Sequence, residues 1–228
     1  MPPRESTNAP VACPVCRAPD PPFFMSVGSQ DYWRCGCCEA RFLDPSQRIS
    51  AGNERAHYLT HENDVDDPGY RRFLLKLSKP LLERLAPNRS GLDFGCGPGP
   101  ALAVILREAG HEMAVYDPFF TPDAAVLDRR YDFITCTEVL EHLHHPADVL
   151  ERIDTLLRPG GWFGVMTSFQ TDDGRFANWR YRWEPTHVVF YREATLRFIA
   201  DERGWSCEIP TKDVALMRKP TALSEELG

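Results

Sequence analysis

Residues 90–118 read SGLDFGCGPGPALAVILREAGHEMAVYDP. Ser90–Phe94 has the look of a short strand with Asp93 near its end. Gly95, Gly97 and Gly99 follow on alternate positions. Ala101–Ala109 is apolar at helical spacing and is stopped by Gly110, and a second strand then runs to Asp117. Strand, glycine turn, helix, strand is the opening half of a doubly wound α/β sheet, with its ligand site beyond the strand ends.

Working outward, Tyr70, Phe73, Leu74, Leu77, Leu81, Leu82 and Leu85 recur at helical spacing ahead of this unit, and Pro87 closes that helix. Glycines on alternate positions let a backbone approach a ligand closely and adopt positive φ. Dinucleotide sites spell G-x-G-x-x-G. Here Pro100 occupies the last glycine position of that spelling, which disfavours NAD. A turn with no ligand is the bland alternative.

The D-x-G-x-G-x-G form, with acidic Asp117 ending the second strand, resembles the S-adenosylmethionine (SAM) site of class I methyltransferases. The resemblance continues through residues 131–167 (YDFITCTEVLEHLHHPADVLERIDTLLRPGGWFGVMT) and covers roughly 69–218. It implies a Rossmann-like sheet of seven strands ending in an antiparallel hairpin. Trp205–Ile209 and Val214–Met217 suit the hairpin strands, after an amphipathic helix at Arg192–Arg203. It also implies cofactor contacts from Asp93, Gly95, Cys96, Gly97, Gly99, Asp117, Cys136 and Thr137. Asp117 would accept both ribose hydroxyls, and Thr135, Cys136 and Thr137 would border the cofactor.

Directly after Thr137 comes Glu138-Val-Leu-Glu141-His142. On a helix, i, i+3 and i+4 share one face, so Glu138, Glu141 and His142 would converge. Two carboxylates and an imidazole can ligate a divalent ion, magnesium or manganese, that orients an acceptor. The E-x-x-E-H spelling resembles ubiquinone-pathway O-methyltransferases and small-RNA 2′-O-methyltransferases, and His187 matches the later histidine of the RNA enzymes. Other readings stay open: His142 or His187 as base or orienting group without metal, Glu141 among the catalytic residues, or purely structural roles. His144 and His145, before Pro146, read as solvated.

Ser168–His187 (SFQTDDGRFANWRYRWEPTH) is dense in aromatics for a loop, with Arg175, Arg180 and Arg182 interleaved. Its place at the C-terminal ends of the strands suits it to cover an acceptor pocket, stacking on a planar molecule and holding a carboxylate or phosphate. Packing against the N-terminal region is the alternative. Tyr58, His61 and Tyr70 are candidates to close the other side.

That N-terminal region carries Cys13-Pro-Val-Cys16 and Cys35-Gly-Cys-Cys38, two C-x2-C pairs. Two such knuckles complete a tetrahedral thiolate site suited to structural zinc, with Cys13, Cys16, Cys35 and Cys38 as ligands and Cys37 as a spare. A rubredoxin-type iron site or a redox pair are the rivals. Pro22–Val27 and Asp31–Cys35 read as short strands around Gly28-Ser29. A unit this small needs its metal to fold. Some ribosomal-RNA and sugar methyltransferases carry comparable modules outside the common fold.

The 228 residues thus divide into a zinc-ribbon-like module (1–45), a polar linker with a short helix near Glu54–Leu59 (46–68) and a SAM-dependent methyltransferase domain (69–228). Composition is 43% hydrophobic and 26% charged, which excludes wholesale disorder. No apolar run approaches a membrane span, and the N-terminus lacks a signal-peptide core, so the expected location is cytoplasmic. Eight cysteines in a reducing compartment read as metal ligands, catalytic thiols or small core residues rather than disulfides. A net charge of −7 disfavours RNA as partner and leaves a small-molecule acceptor first. A non-enzymatic SAM-binding adaptor is the remaining class. Oligomeric state is not legible.

Overall fold

In the computed structural model, residues 10–59 and 64–221 are described. An N-terminal hairpin pairs β1 (Phe23–Val27) with β2 (Gln30–Arg34), turned at Gly28 with φ of 64°. The third strand, β3 (Arg41–Leu43), pairs antiparallel with β2. Helix α1 (Ala51–Tyr58) starts where the Ser50 hydroxyl accepts the Asn53 amide, and it covers the short helix expected near Glu54. Residues 60–63, His61 included, lie outside the described residues.

Helix α2 (Pro68–Leu82) opens on an Asp67 cap with proline at its first position, and it buries Leu74, Leu77 and Leu81. The glycine unit follows as β4 (Ser90–Phe94), α3 (Ala101–Glu108) and β5 (Glu112–Tyr116). Then come β6 (Tyr131–Thr137), α4 (Pro146–Leu156), β7 (Leu157–Met166), the two-residue β8 (Val189–Phe190), α5 (Glu193–Asp201), β9 (Ser206–Thr211) and β10 (Val214–Arg218).

One sheet has the order β5-β4-β6-β7-β10-β9, parallel through the first four strands and antiparallel at the closing hairpin. Among the described residues it has six strands, where the resemblance implied seven. The reason is length. Residues 118–130 hold only a bridge between Asp117 and Thr121 and a 3-10 turn at Ala124–Asp128. A further parallel strand needs a crossover of about a dozen residues by itself.

Both faces of this sheet are covered. On one, α2 and α3 bring Leu74, Leu77, Leu102 and Leu106 onto Phe133 and Met166. On the other, Leu150 and Ile153 of α4 and Leu196 and Ile199 of α5 pack with Ile134, Phe163 and Val165. This second core is continuous with the N-terminal module, whose Cys13, Cys35, Cys38, Tyr32 and Phe42 belong to it. The module is also joined by backbone: β3 pairs antiparallel with β8, so its sheet runs β1-β2-β3-β8. No helix among the described residues is long and apolar enough to cross a membrane.

Candidate functional site

The strand ends of the parallel sheet open into a cavity of about 750 Å³, within the 300–1,000 Å³ usual for small-ligand sites. The glycine turn forms one wall. Gly95 and Gly97 take φ of 78° and 63°, a left-handed backbone that side chains rarely adopt. A Cβ on Gly95 would lie 2.4 Å from Val139 Cγ2, so the approach of this turn to the end of β6 requires glycine. Gly95 and Cys96 donate their amides to the Tyr116 carbonyl, at 2.8 and 3.2 Å, which holds the turn against β5. Cys96 and Gly97 line the cavity. Gly99 instead sits buried at the entry to α3, its carbonyl accepting the Ala101 amide at 2.8 Å.

Asp117 lines the cavity with a carboxylate already engaged. Oδ2 accepts the Gly97 amide at 3.0 Å, and Oδ1 accepts those of Phe119 and Phe120 at 2.8 and 3.2 Å. Of about four acceptor sites on a carboxylate, one is left. The expected double acceptance of two ribose hydroxyls therefore requires one of these amides to give way. Asp93 stands behind the turn, 4% exposed, with Oδ1 accepting the Thr135 hydroxyl at 2.8 Å. Burial pushes its pKa up to about 6, partly offset by that hydrogen bond. The three residues expected to border the cofactor are split by strand alternation and depth. Thr137 lines the cavity, Thr135 is buried against Asp93, and Cys136 is wholly buried in the core beneath α4 and α5. Cys136 is thus corrected from a cavity residue to a core residue.

Beside the turn, which meets Val139, the E-x-x-E-H segment departs from the helix that its spacing predicted. Glu138 takes φ of 51°, with its amide on the Met166 carbonyl at 2.8 Å, and Leu140–His142 form a 3-10 turn. A left-handed non-glycine residue at a strand end is a local strain that persists where the surroundings over-determine it. The side chains converge all the same. Donor atoms of Glu141, His142 and His187 lie within 4.8 Å of one another, and the two imidazole rings are 4.6 Å apart. Glu138 stands beside this group rather than in it.

The piece that joins them is Tyr181. Its hydroxyl meets Glu138 Oε2 at 3.0 Å, Glu141 Oε1 at close range and Thr167 Oγ1 at 3.1 Å. Its carbonyl lies 2.7 Å from His187 Nδ1. A carbonyl only accepts, so Nδ1 carries a proton, and in the neutral ring Nε2 holds the lone pair. Burial pushes Glu138 up to about 7, against the Tyr181 hydrogen bond. Burial and the Glu138 charge hold Glu141 well above the usual carboxylate range. Among the described residues, Glu141 Oε2 is buried and meets no hydrogen-bond donor. A buried carboxyl oxygen with no donor, beside two imidazoles, belongs to a ligand set that a divalent cation would complete.

The aromatic loop divides its labour. Phe176 packs edge-on against Tyr32 and Phe24 of the module and against Phe190, and Trp179 packs on Phe176 and Phe190, so Phe176 anchors the loop to the module. Arg175 pairs with Asp172 and Arg182 turns to β2. Only Arg180, Tyr181, Glu184 and His187 of this stretch line the cavity. Opposite, the Tyr58 ring packs against Phe119 and His142, both at 5.4 Å, and Tyr70 and Phe73 complete that side. His145 is exposed, while His144 is half-buried with its carbonyl on Arg48.

In the module, the four Sγ atoms of Cys13, Cys16, Cys35 and Cys38 lie within 4.8 Å of one another, with Cys13–Cys38 at 3.6 Å and Cys16–Cys35 at 3.5 Å. Cys37 is exposed and stands outside the group. Four converging thiols with no disulfide are a closed four-ligand set.

A family model described as a methyltransferase domain matches residues 67–208. The ubiquinone biosynthesis O-methyltransferase of Aeromonas salmonicida (strain A449) is 35% identical over 91 residues, 40% of this chain and 38% of that protein. That of Stutzerimonas stutzeri (strain A1501) is 34% identical over 85 residues, 37% and 36% of the two chains. The matches thus span less than two fifths of these relatives. The crystal structure of Burkholderia thailandensis 1,6-didemethyltoxoflavin-N1-methyltransferase, with 1,6-didemethyltoxoflavin and S-adenosylhomocysteine bound, superposes with a TM-score of 0.51 at 18% identity. It covers 87% of this chain and 99% of its own, and the likeness is one of fold.

Proposed function

The chain belongs to the methyltransferase domain family, and on that footing we propose that it moves the methyl group of SAM to an oxygen of a small planar acceptor held by a divalent ion. The observation that carries this reading is the convergence of Glu141, His142 and His187 within 4.8 Å, with both histidines lining the cavity and the carboxyl of Glu141 buried behind them. The names of the ubiquinone-pathway relatives support oxygen as the accepting atom. The rings of Tyr58, Tyr70, Phe73, Phe119 and Phe120 around the cavity support a planar acceptor, and Arg180 offers a cation to an anionic substituent. RNA is less well supported, since Glu54 and Glu184 share the cavity wall with Arg180 and the net charge is −7.

Bound SAM supplies an electrophilic methyl on a sulfonium. A bound divalent ion supplies Lewis acidity that lowers an acceptor hydroxyl's pKa. The chain's own residues do the rest. The side-chain-poor turn at Gly95–Gly97 lets the cofactor lie close, and Asp117 keeps an acceptor site for a ribose hydroxyl. Glu141, His142 and His187, with Glu138 adjacent, hold the ion, and Tyr181 fixes both carboxylates and the His187 tautomer. Methyl transfer would form the acceptor oxygen–carbon bond as the sulfur–carbon pair returned to sulfur, and Glu138, which lines the cavity beside the ion's ligands, is the carboxylate left to take the hydroxyl proton. Cys13, Cys16, Cys35 and Cys38 hold a structural zinc with no position open to a substrate.

The test is cell extract incubated with the protein and isotopically labelled SAM, followed by mass spectrometry for the newly labelled species. A methyl ether is expected. Its formation should depend on added magnesium or manganese and fall about 100-fold in Glu141→Gln. Equal rates in that variant and in metal-depleted buffer would sink the ion-assisted reading.

A further inference from the structure

We propose that the four-cysteine module is a positioning part of the acceptor side of this site, holding His187 and Tyr181 in place through β3 and Arg182. The inference rests on the acceptor site proposed above and adds a dependence of that site on the module's metal.

Two connections carry it. The first is backbone. The Cys35 amide donates to the Ala40 carbonyl at 2.9 Å, tying the second knuckle to the start of β3. From β3, Arg41 and Phe42 pair with Phe190 and Val189, and the Leu43 amide donates to the Val188 carbonyl at 2.9 Å. The Val188 amide in turn donates to the Glu141 carbonyl at 2.8 Å. Val188 is therefore clamped between the module's last strand and the turn that presents Glu141, and His187 is its immediate neighbour. The second connection is a side chain. The Arg182 guanidinium donates to Gln30 Oε1 at 3.1 Å and Tyr32 Oη at 3.2 Å on β2, and to the Ala177 carbonyl at 2.9 Å. Its face lies 5.7 Å from the Tyr32 ring. The residue before it is Tyr181, whose hydroxyl joins the two glutamates and whose carbonyl orients His187.

These connections matter because residues 168–187 contain only short 3-10 turns, at Asp173–Asn178 and Arg180–Trp183, which hold their own shape weakly. Fully buried Arg41 reinforces them, donating to Asp173 Oδ1 at 2.6 Å. The Tyr181–His187 side of the acceptor site thus takes its geometry from the module. The glycine turn, Asp117 and Thr137 take theirs from the six-stranded sheet. Loosening the module should therefore disturb one wall of the cavity and spare the other.

The full chain can be tested with ¹⁵N-histidine NMR and calorimetry using S-adenosylhomocysteine. In the zinc-loaded protein, the His187 ring N–H on the Tyr181 carbonyl should give an exchange-protected resonance. Arg182→Met, and separately removal of zinc by chelation, should abolish that protection, with S-adenosylhomocysteine affinity changed less than about threefold. Zinc added back to the stripped protein should restore it. An unaltered His187 resonance in both samples would overturn the proposal. So would a parallel tenfold loss of S-adenosylhomocysteine affinity, which would mean that the glycine-turn side depends on the module as much as the acceptor side does. The resonance is read without cofactor, so a failure of the untreated chain to bind S-adenosylhomocysteine would count against the methyl-transfer reading while the resonance still decides this one.

Discussion

Asp93 shows how an ionisable side chain can serve a ligand site from behind it. Its carboxyl is buried under the glycine turn, on the Thr135 hydroxyl, and its pKa is pushed up to about 6. The folded value lies above the ordinary carboxylate value near 4, so folding favours the protonated form. That contribution is fully present below pH 4 and is lost as pH rises through 6, leaving a buried charge that costs on the order of 3 kcal/mol. Asp93→Asn never ionises and keeps an acceptor for Thr135. It should be more stable than the parent at pH 8 and close to it at pH 4. Urea midpoints at the two pH values check this, and a stability gap independent of pH would reject it. At this scale the glycines, Asp117, the four cysteines and the Glu-His group could be read from the sequence, because their spacing carries the chemistry. Tyr181 could not be singled out: it stands among equally aromatic neighbours, and only the fold distinguishes the one that faces the carboxylates.

Among the elements, β4 is hydrogen-bonded on both edges and covered on both faces. A Cβ on Gly91 would fall 2.3 Å from Phe133 Cζ and 2.6 Å from Met113 Sδ. Both are large groups in a filled core, so Gly91→Ala should destabilise by about 1–3 kcal/mol. A chemical denaturation midpoint equal to the parent's would contradict the packing described. Strand, turn and helix were legible from Ser90 to Asp117 because apolar periodicity and glycine punctuation agree there. They disagree at residues 138–142. The i, i+3, i+4 pattern read as helix, but the Glu138 amide is taken by Met166 at the end of β7, and the chain turns in the left-handed region instead. Tertiary pairing overrode a local pattern, and the side chains met by another route. The strand count failed for a different reason: it came from resemblance, and the residues between β5 and β6 are too few to supply the missing strand.

At the level of the whole chain, composition separated a cysteine-rich start from an α/β body but gave no sign that the two share a core. Cys13, Cys35 and Cys38 are each about 1% exposed and pack into the same cluster as Ile134, Phe163 and Leu196. From the sequence, a module that needs its metal to fold is expected to unfold on chelation. With a common core and the β3–β8 pairing, zinc removal should instead lower the melting temperature of the whole chain in a single transition, and two resolved calorimetric transitions would refute this.

The β3–β8 pairing bears on any attempt to trim the protein to its catalytic half. A chain begun after Leu43 would leave β8 as a bare rim of unpaired amides and carbonyls, with Phe176 and Phe190 stripped of Tyr32. Such a rim recruits whatever strand is nearest, and in a concentrated sample that strand belongs to another molecule. The shortened form would be expected to clump before it could be assayed, so the cysteine-bearing segment has to stay on whenever the body is studied.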